Sequence, residues 1–259
     1  MRPRLVVDRE NEETPPGYAT DGTLLGGRVQ FRQPAKGYRV AIDPILLAAA
    51  VPAAAGERVL DLGAGAGAAA LCLAVRAADC RIDCLEAQDP LARLAAENVT
   101  ANKLDRRIIV HVGDLRRPPS DLPRNGFDHV MTNPPYVAAN ASDAPPDPSK
   151  RKATVDELGV EAWIEAALKF LKPRGRLTLI HRADRLDALI AALIPRAGEV
   201  TVIPLWPRQG EAARRVIVRA RKGAKSPAQL LPGLVLHRAD GSFTPEAEAI
   251  LRDGAALEA

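Results

Sequence analysis

From Arg58 onward, short apolar runs alternate with longer stretches in which apolar residues recur every three or four positions. Such alternation predicts strands and helices in turn. Strands are expected at Arg58–Leu62, Arg81–Glu86, Arg107–Val112 and Phe127–Thr132, with helices at Ala66–Ala78 and Pro90–Asn102 between the first three. The Arg116–Pro123 stretch reads as loop where a further helix would fall, because each of its prolines removes a backbone donor and clashes with the preceding turn. A polar, proline-rich stretch, Ala138–Ser149, leads to a helix at Asp156–Leu171 and a strand at Arg176–Ile180. A helix at Asp184–Leu193 and strands at Glu199–Leu205 and Arg214–Ala220 follow. Strands separated by helices of this length imply right-handed crossovers and a parallel sheet, hence an α/β fold. The last two strands are joined by Trp206–Glu211, too short for a crossover helix, so they should pair antiparallel.

Residues 1–20 mix Arg, Asp and Glu with Pro15-Pro16-Gly17 and are expected to form a flexible arm, with order beginning near Leu24. Leu24–Phe31 reads as a short hairpin, and Asp43 is placed to cap a helix whose first residue is Pro44. The tail offers a strand at Leu234–His237, a turn at Asp240-Gly241 and a helix opening at Thr244-Pro245. The chain therefore divides into the arm, a main domain over residues 21–225 and an extension over 226–259. Hydrophobic residues make up 47% but aromatic ones only 3%, so the core must be built from Ala, Leu, Val and Ile. No apolar run reaches the 18 or so residues of a membrane-spanning helix, and the N-terminus has no signal-like segment. Cys72, Cys80 and Cys84 form no Cys-x-x-Cys pair, so buried, reduced thiols in a cytoplasmic protein are expected. The net charge of +4 and isoelectric point near 9.1 suit a polyanionic partner.

Two motifs carry the chemistry. The first, Asp61-Leu62-Gly63-Ala64-Gly65-Ala66-Gly67, follows a strand and opens a helix, where backbone amides and the positive helix end face a ligand. With Ala68 it also fits the Gly-x-Gly-x-x-Ala pattern of dinucleotide sites. Asp61 favours another cofactor: a carboxylate at the strand end would repel a pyrophosphate but can accept hydrogen bonds from an amino group, such as that of S-adenosylmethionine. Glu86 ends the second strand, where it can accept both ribose hydroxyls of either cofactor. Asp114 is placed to accept from an adenine amino group while Leu115 covers the ring. The second motif is Asn133-Pro134-Pro135-Tyr136. The Asn133 side-chain carbonyl and the Pro134 backbone carbonyl make two acceptors held rigid by the prolines, which suits a planar amino group with two hydrogens. Tyr136 offers a stacking face for a flat substrate. Two acceptors on an exocyclic amine stabilise the positive charge that grows on its nitrogen as it attacks a methyl group, so no catalytic His or Cys is required.

Over residues 22–221 these features resemble the class I S-adenosylmethionine-dependent methyltransferases of the small-domain type that carry Asn-Pro-Pro-Tyr. Gln33-Pro34, Gly37-Tyr38-Arg39, Asp43, Leu46-Leu47-Ala48, Trp163 and Leu171-Lys172-Pro173 carry a narrower similarity to bacterial adenine-N6 methyltransferases that modify the base beside the anticodon of a valine tRNA. The resemblance implies a Rossmann-like, seven-stranded, mostly parallel sheet with an antiparallel last strand and helices on both faces. It implies S-adenosylmethionine as cofactor, S-adenosylhomocysteine as product, no metal, and an RNA substrate, a tRNA above all. It also implies that Arg39 and Asp43 line the methionine end of the cofactor, with Ala87 beside Glu86 among the cofactor residues. The short, proline-rich segment after Asp114 departs from the family pattern at the outer wall of the adenine pocket.

Three competing readings share parts of this pattern: a protein-glutamine methyltransferase of the release-factor type, an rRNA base methyltransferase, and a non-catalytic RNA-binding module. The first usually carries a helical recognition domain ahead of the glycine turn, where this chain has only residues 1–60; intact Asp61, Glu86, Asp114 and Asn133 argue against the last. Lys150-Arg151-Lys152 is a candidate contact for phosphates flanking the target base, and Arg214-Arg215, Arg219, Arg221-Lys222 and Lys225 form a second basic group. The four histidines are scattered without metal-ligand spacing and are expected to be structural.

Overall fold

In the computed structural model of the protein, residues 19–35, 40–138, 155–156 and 159–258 are described. Strands β1 (Ala19–Leu24) and β2 (Val29–Pro34) pair antiparallel around a 3-10 turn at Leu25–Gly27. The hairpin thus starts at Ala19 rather than Leu24. The extra residues, Ala19-Thr20-Asp21-Gly22-Thr23, are mostly polar and carry no alternating apolar signal. Helix α1 (Asp43–Ala50) follows, with seven of its eight residues buried. Its N-cap is Ile42, not Asp43, and no side chain caps it; the Asp43 carboxylate is directed elsewhere.

The expected alternation then unfolds as β3 (Arg58–Leu62), α2 (Ala68–Arg76), β4 (Arg81–Glu86), α3 (Asp89–Ala101), β5 (Ile108–Val112) and β6 (Phe127–Thr132). Short strands β7 (Val137–Ala138) and β8 (Val155–Asp156) pair parallel with each other. They are followed by α4 (Gly159–Phe170), β9 (Leu171–Arg182), α5 (Leu186–Leu193), β10 (Ala197–Trp206) and β11 (Arg215–Lys222). The tail adds β12 (Gln229–Leu230), β13 (Leu234–Val235) and α6 (Pro245–Asp253). Thr244 caps α6 through its side chain, as its sequence predicts.

The large sheet runs β12-β10-β11-β9-β6-β3-β4-β5, with β13 also on β10. It has nine strands rather than seven, because two-residue strands of the tail extend it parallel to β10. The seven expected strands are all present, and β11 runs antiparallel to both neighbours. Helices cover both faces: α1, α2, α3 and α6 over one apolar core, α4 and α5 over the other. Burial on both faces explains why the central strands read as nearly continuous apolar runs. The hairpin is fastened to this body by α3, where fully buried Asn98 accepts from the Arg32 amide and donates to the Arg32 and Ala66 carbonyls. Among the described residues no helix is long and apolar enough to cross a membrane.

Candidate active site

Strand order reverses between β3 and β6: β4 and β5 lie to one side of β3, β9 to the other side of β6. In open α/β sheets such a switch point opens a crevice at the carboxyl ends of the strands, and ligands bind there. Here the register pairs Leu62 with Thr132, so the glycine turn leaving β3 and the Asn133 motif leaving β6 start side by side. Thr132 Oγ1 donates to the Leu62 carbonyl at 2.7 Å, tying the two strand ends together.

The glycine turn needs its glycines. Gly63, Gly65 and Gly67 all have positive φ (77°, 56° and 86°), where side chains are strained. A Cβ on Gly63 would lie 2.7 Å from the Trp163 ring of α4, whereas one on Gly65 would meet nothing within 4 Å. Gly63 is thus packed against Trp163, and Gly65 faces open space that a ligand backbone or ribose can enter. Glu86 is buried and accepts from the Gly65 amide at 2.9 Å and the Gln88 amide at 2.8 Å. Its carboxyl is raised above the ordinary range by burial, against the lowering effect of the Gln88, Gly65 and Ala87 amides. Asp61 is 2% exposed, and its Oδ2 has no hydrogen-bond partner among the described residues. Burial, opposed by the Ala70 amide and assisted by nearby Glu86, pushes its carboxyl up to about 7. A buried acceptor without a donor, next to an open glycine turn, fits a cofactor that brings an ammonium group; a pyrophosphate would add charge of the wrong sign.

The second motif carries a side-chain cluster that its sequence did not announce. Tyr136 Oη lies 2.6 Å from Asn133 Oδ1 and 2.7 Å from Asp43 Oδ2. Arg215 Nε donates to the same Asp43 oxygen at 3.1 Å, and its guanidinium lies 4.6 Å from the Tyr136 ring centre. Burial works against the charge on Arg215, but Asp43 and Tyr136 hold its pKa above the ordinary value. His181 meets the same ring edge-on at 5.2 Å. Burial pushes His181 down to about 4, assisted by the positive charges of Arg185, Arg215 and Arg182 and opposed by an Arg182 backbone contact. The imidazole is therefore neutral near pH 7 and a poor base.

Other expectations fare differently. Asp114 is clasped by Arg116, whose Nε lies 3.0 and 3.1 Å from its two oxygens. The hydrogen bond from Arg116 holds its carboxyl below the ordinary value. The Arg116 backbone amide and Nη2 donate to it as well, so most of the roughly four acceptor sites of the carboxylate are taken and its rotamer is fixed. Leu115 is half-buried against the α4-side core. The second basic group is divided: Arg214 and Arg215 stand at the carboxyl edge, where Arg215 pairs with Arg182, while Arg221 binds Glu199 and Lys222 binds Asn125 and the Leu171 carbonyl. Arg39 and Lys150-Arg151-Lys152 lie outside the described residues. All three cysteines are buried and free. His111 and His129 are buried against Asp83 and Glu57, and His237 stacks on Phe243. Among the described residues no group of three or more His, Cys, Asp or Glu is arranged to hold a metal ion.

A glycine turn and an Asn-Pro-Pro-Tyr motif flanking the switch point of this sheet define an S-adenosylmethionine-dependent methyltransferase. The profile of the methyltransferase small domain matches residues 40–191, and the chain belongs to that family. A relative in Aeromonas hydrophila named tRNA1(Val) (adenine(37)-N6)-methyltransferase is 32% identical over 210 residues, which cover 80% of this chain and 85% of that one. A Porphyromonas gingivalis protein of the same name is 31% identical over 218 residues, covering 80% and 85%. Among solved structures, a predicted O-methyltransferase from Agrobacterium tumefaciens superposes with a TM-score of 0.70 at 29% identity, over 83% of this chain and 98% of that one. M. jannaschii TYW2 in complex with AdoMet superposes with a TM-score of 0.57 over 82% and 89%; at 17% identity that likeness speaks for the fold alone.

Proposed function

We propose that this enzyme methylates the N6 amine of an adenine in a tRNA, in the cytoplasm, with Asn133, Pro134 and Tyr136 as its catalytic residues. The observation that carries the reading is the pairing of Leu62 with Thr132, which starts the glycine turn and the Asn-Pro-Pro-Tyr motif at one crevice. The names of the relatives point to the same substrate.

S-adenosylmethionine supplies a methyl group already activated on a sulfonium. Asp61 holds the amino end of the cofactor, Glu86 its ribose beside Gly65, and Asp114 with Leu115 its adenine; Gly63, Gly67, Ala87, Arg39 and Asp43 complete the cofactor's surroundings. The chain's task at the reacting end is orientation. The lone pair of an exocyclic amine is delocalised into its ring. When Asn133 Oδ1 and the Pro134 carbonyl each accept one amino hydrogen, that lone pair turns out of the ring plane and the charge growing on nitrogen is stabilised. The surplus proton leaves to water. Neutral His181 beside Tyr136 needs no part in that step.

Asn133→Ala tests the assignment. Its carbonyl acts on charge that exists only in the transition state, so turnover should fall about 100-fold or more with little change in RNA or cofactor affinity. Single-turnover methylation of tRNA, with nucleosides read by mass spectrometry for N6-methyladenosine, gives the answer. Wild-type turnover by the variant, or a methylated product other than N6-methyladenosine, contradicts it.

A further inference from the structure

The single hydroxyl hydrogen of Tyr136 has, among the described residues, Asp43 Oδ2 at 2.7 Å and Asn133 Oδ1 at 2.6 Å to choose between. A phenol donates to one acceptor at a time. The carboxylate is the better one, because a hydrogen bond to an ionised acceptor is roughly twice as strong as a neutral one. Arg215 holds that carboxylate in place through the same oxygen, at 3.1 Å, while its guanidinium covers the Tyr136 ring. With the proton committed to Asp43, an Asn133 oxygen facing the phenol would set lone pair against lone pair. A half-turn of the Asn133 amide removes the conflict: Nδ2 then donates to the phenol oxygen, and Oδ1 points away from it.

This argument rests on the reading of Asn133 as acceptor for the substrate amine. We propose that Arg215, Asp43 and Tyr136 form a directional chain of hydrogen bonds that fixes the Asn133 amide with its oxygen towards the substrate. Charge-assisted links at the Arg215 end polarise those further along, so the preference is transmitted through Tyr136 rather than by contact. Arg215 and Asp43 are positioning residues. The opposite amide orientation would present an N–H to the amine and leave only the Pro134 carbonyl to accept from it. Asp43 has the Tyr136 hydroxyl and the Arg215 guanidinium as hydrogen-bond partners, which accounts for its failure to cap α1.

The chain makes an unusual prediction about a double variant. In Asp43→Ala the phenol loses its better acceptor, so the hydroxyl proton turns to Asn133 Oδ1 and locks the amide the wrong way round. Single-turnover rates at saturating RNA and cofactor should fall at least about tenfold, the cost of one misplaced hydrogen bond. Tyr136→Phe leaves the amide free to rotate and should lose less. Adding Tyr136→Phe to Asp43→Ala removes the phenol that transmits the wrong signal, so the double variant should be faster than Asp43→Ala alone. Cofactor affinity by calorimetry, measured on each variant, confirms saturation and separates loss of binding from loss of rate. A wild-type rate in Asp43→Ala, or a double variant no faster than Asp43→Ala, overturns the proposal. Asn133→Ala in the same assay keeps the two claims apart: if it turns over normally, the reading of Asn133 fails; if it is dead while Asp43→Ala is normal, only the chain fails.

Discussion

The role proposed for Asp61 at the amino end of the cofactor draws on the residue's setting. At 2% exposure, with Oδ2 unpartnered among the described residues, its carboxyl is pushed from 3.8 to about 7, chiefly by burial. Because the folded value lies above the unfolded one, its contribution to stability is fully present below pH 3.8 and is lost as pH rises through about 7. An ammonium group brought by the cofactor favours the ionised form and draws the pKa down again, so binding near neutrality should release a fraction of a proton. Calorimetry of S-adenosylmethionine binding at pH 7 in two buffers of different ionisation enthalpy measures that release directly. Asp61→Asn should abolish it and weaken binding roughly tenfold or more. Proton uptake, or no exchange in the wild type, would remove Asp61 from the cofactor's amino group. Tyr136 teaches the complementary lesson: its place in the motif suggests a ring face, whereas its hydroxyl joins residues 93 positions apart.

At the scale of elements, the hairpin and α3 illustrate a contact made by polar groups in a buried place. Asn98 on α3 and Asn102, the C-cap residue one turn further on, bond the backbone of β2 as a neighbouring strand would: Asn98 serves Arg32, Asn102 serves Gln30. Asn98 also holds the Ala66 carbonyl inside the glycine turn at 3.0 Å. Asn98→Ala leaves those groups without their partner and should cost about 1–3 kcal/mol in urea unfolding. A change below about 0.5 kcal/mol, the range of neutral surface substitutions, would mean the hairpin is not held this way. The elements themselves were largely legible, since strands buried on both faces and helices with one apolar stripe write their period into the sequence. The outer hairpin was hidden by its polar residues; Leu171 reads as the end of the preceding helix and Lys172-Pro173-Arg174-Gly175 as a connection, yet all five residues belong to β9. Strands β12 and β13 have two residues each and no period to detect. In the site, the glycine turn and Asn-Pro-Pro-Tyr were legible because their chemistry is local. Arg215 and His181 were not assigned to it, because only the sheet register brings them to Tyr136.

For the whole molecule, the parallel sheet gathers function at one edge. The carboxyl ends of β3, β4, β6 and β9 lie together, and antiparallel β11 begins there because Arg215 pairs with Arg182. Exposed Arg182, Arg185 and Arg214 consequently stand at this carboxyl edge, near the strand positions of His181 and Arg215. His181 is pushed down to about 4 chiefly by burial, with Arg185, Arg215 and Arg182 adding to the effect. The far end of β11 is basic too, but Arg221 and Lys222 are committed to Glu199, Asn125 and the Leu171 carbonyl. Arg182 is likewise held by Asp184, so a phosphate backbone is expected at the carboxyl edge because the site opens there, with Arg185 and Arg214 exposed beside it. Replacing Arg182, Arg185 and Arg214 together by Gln should raise the Michaelis constant for tRNA. It should also flatten the dependence of log affinity on log salt by about 0.7–0.9 for each phosphate that is no longer neutralised. Cofactor affinity should stay unchanged, and Arg219→Gln, farther along β11 opposite Thr178, should leave the salt slope as it is. An unaltered slope in the triple variant, or an equal loss in Arg219→Gln, would show that the RNA does not approach across this rim.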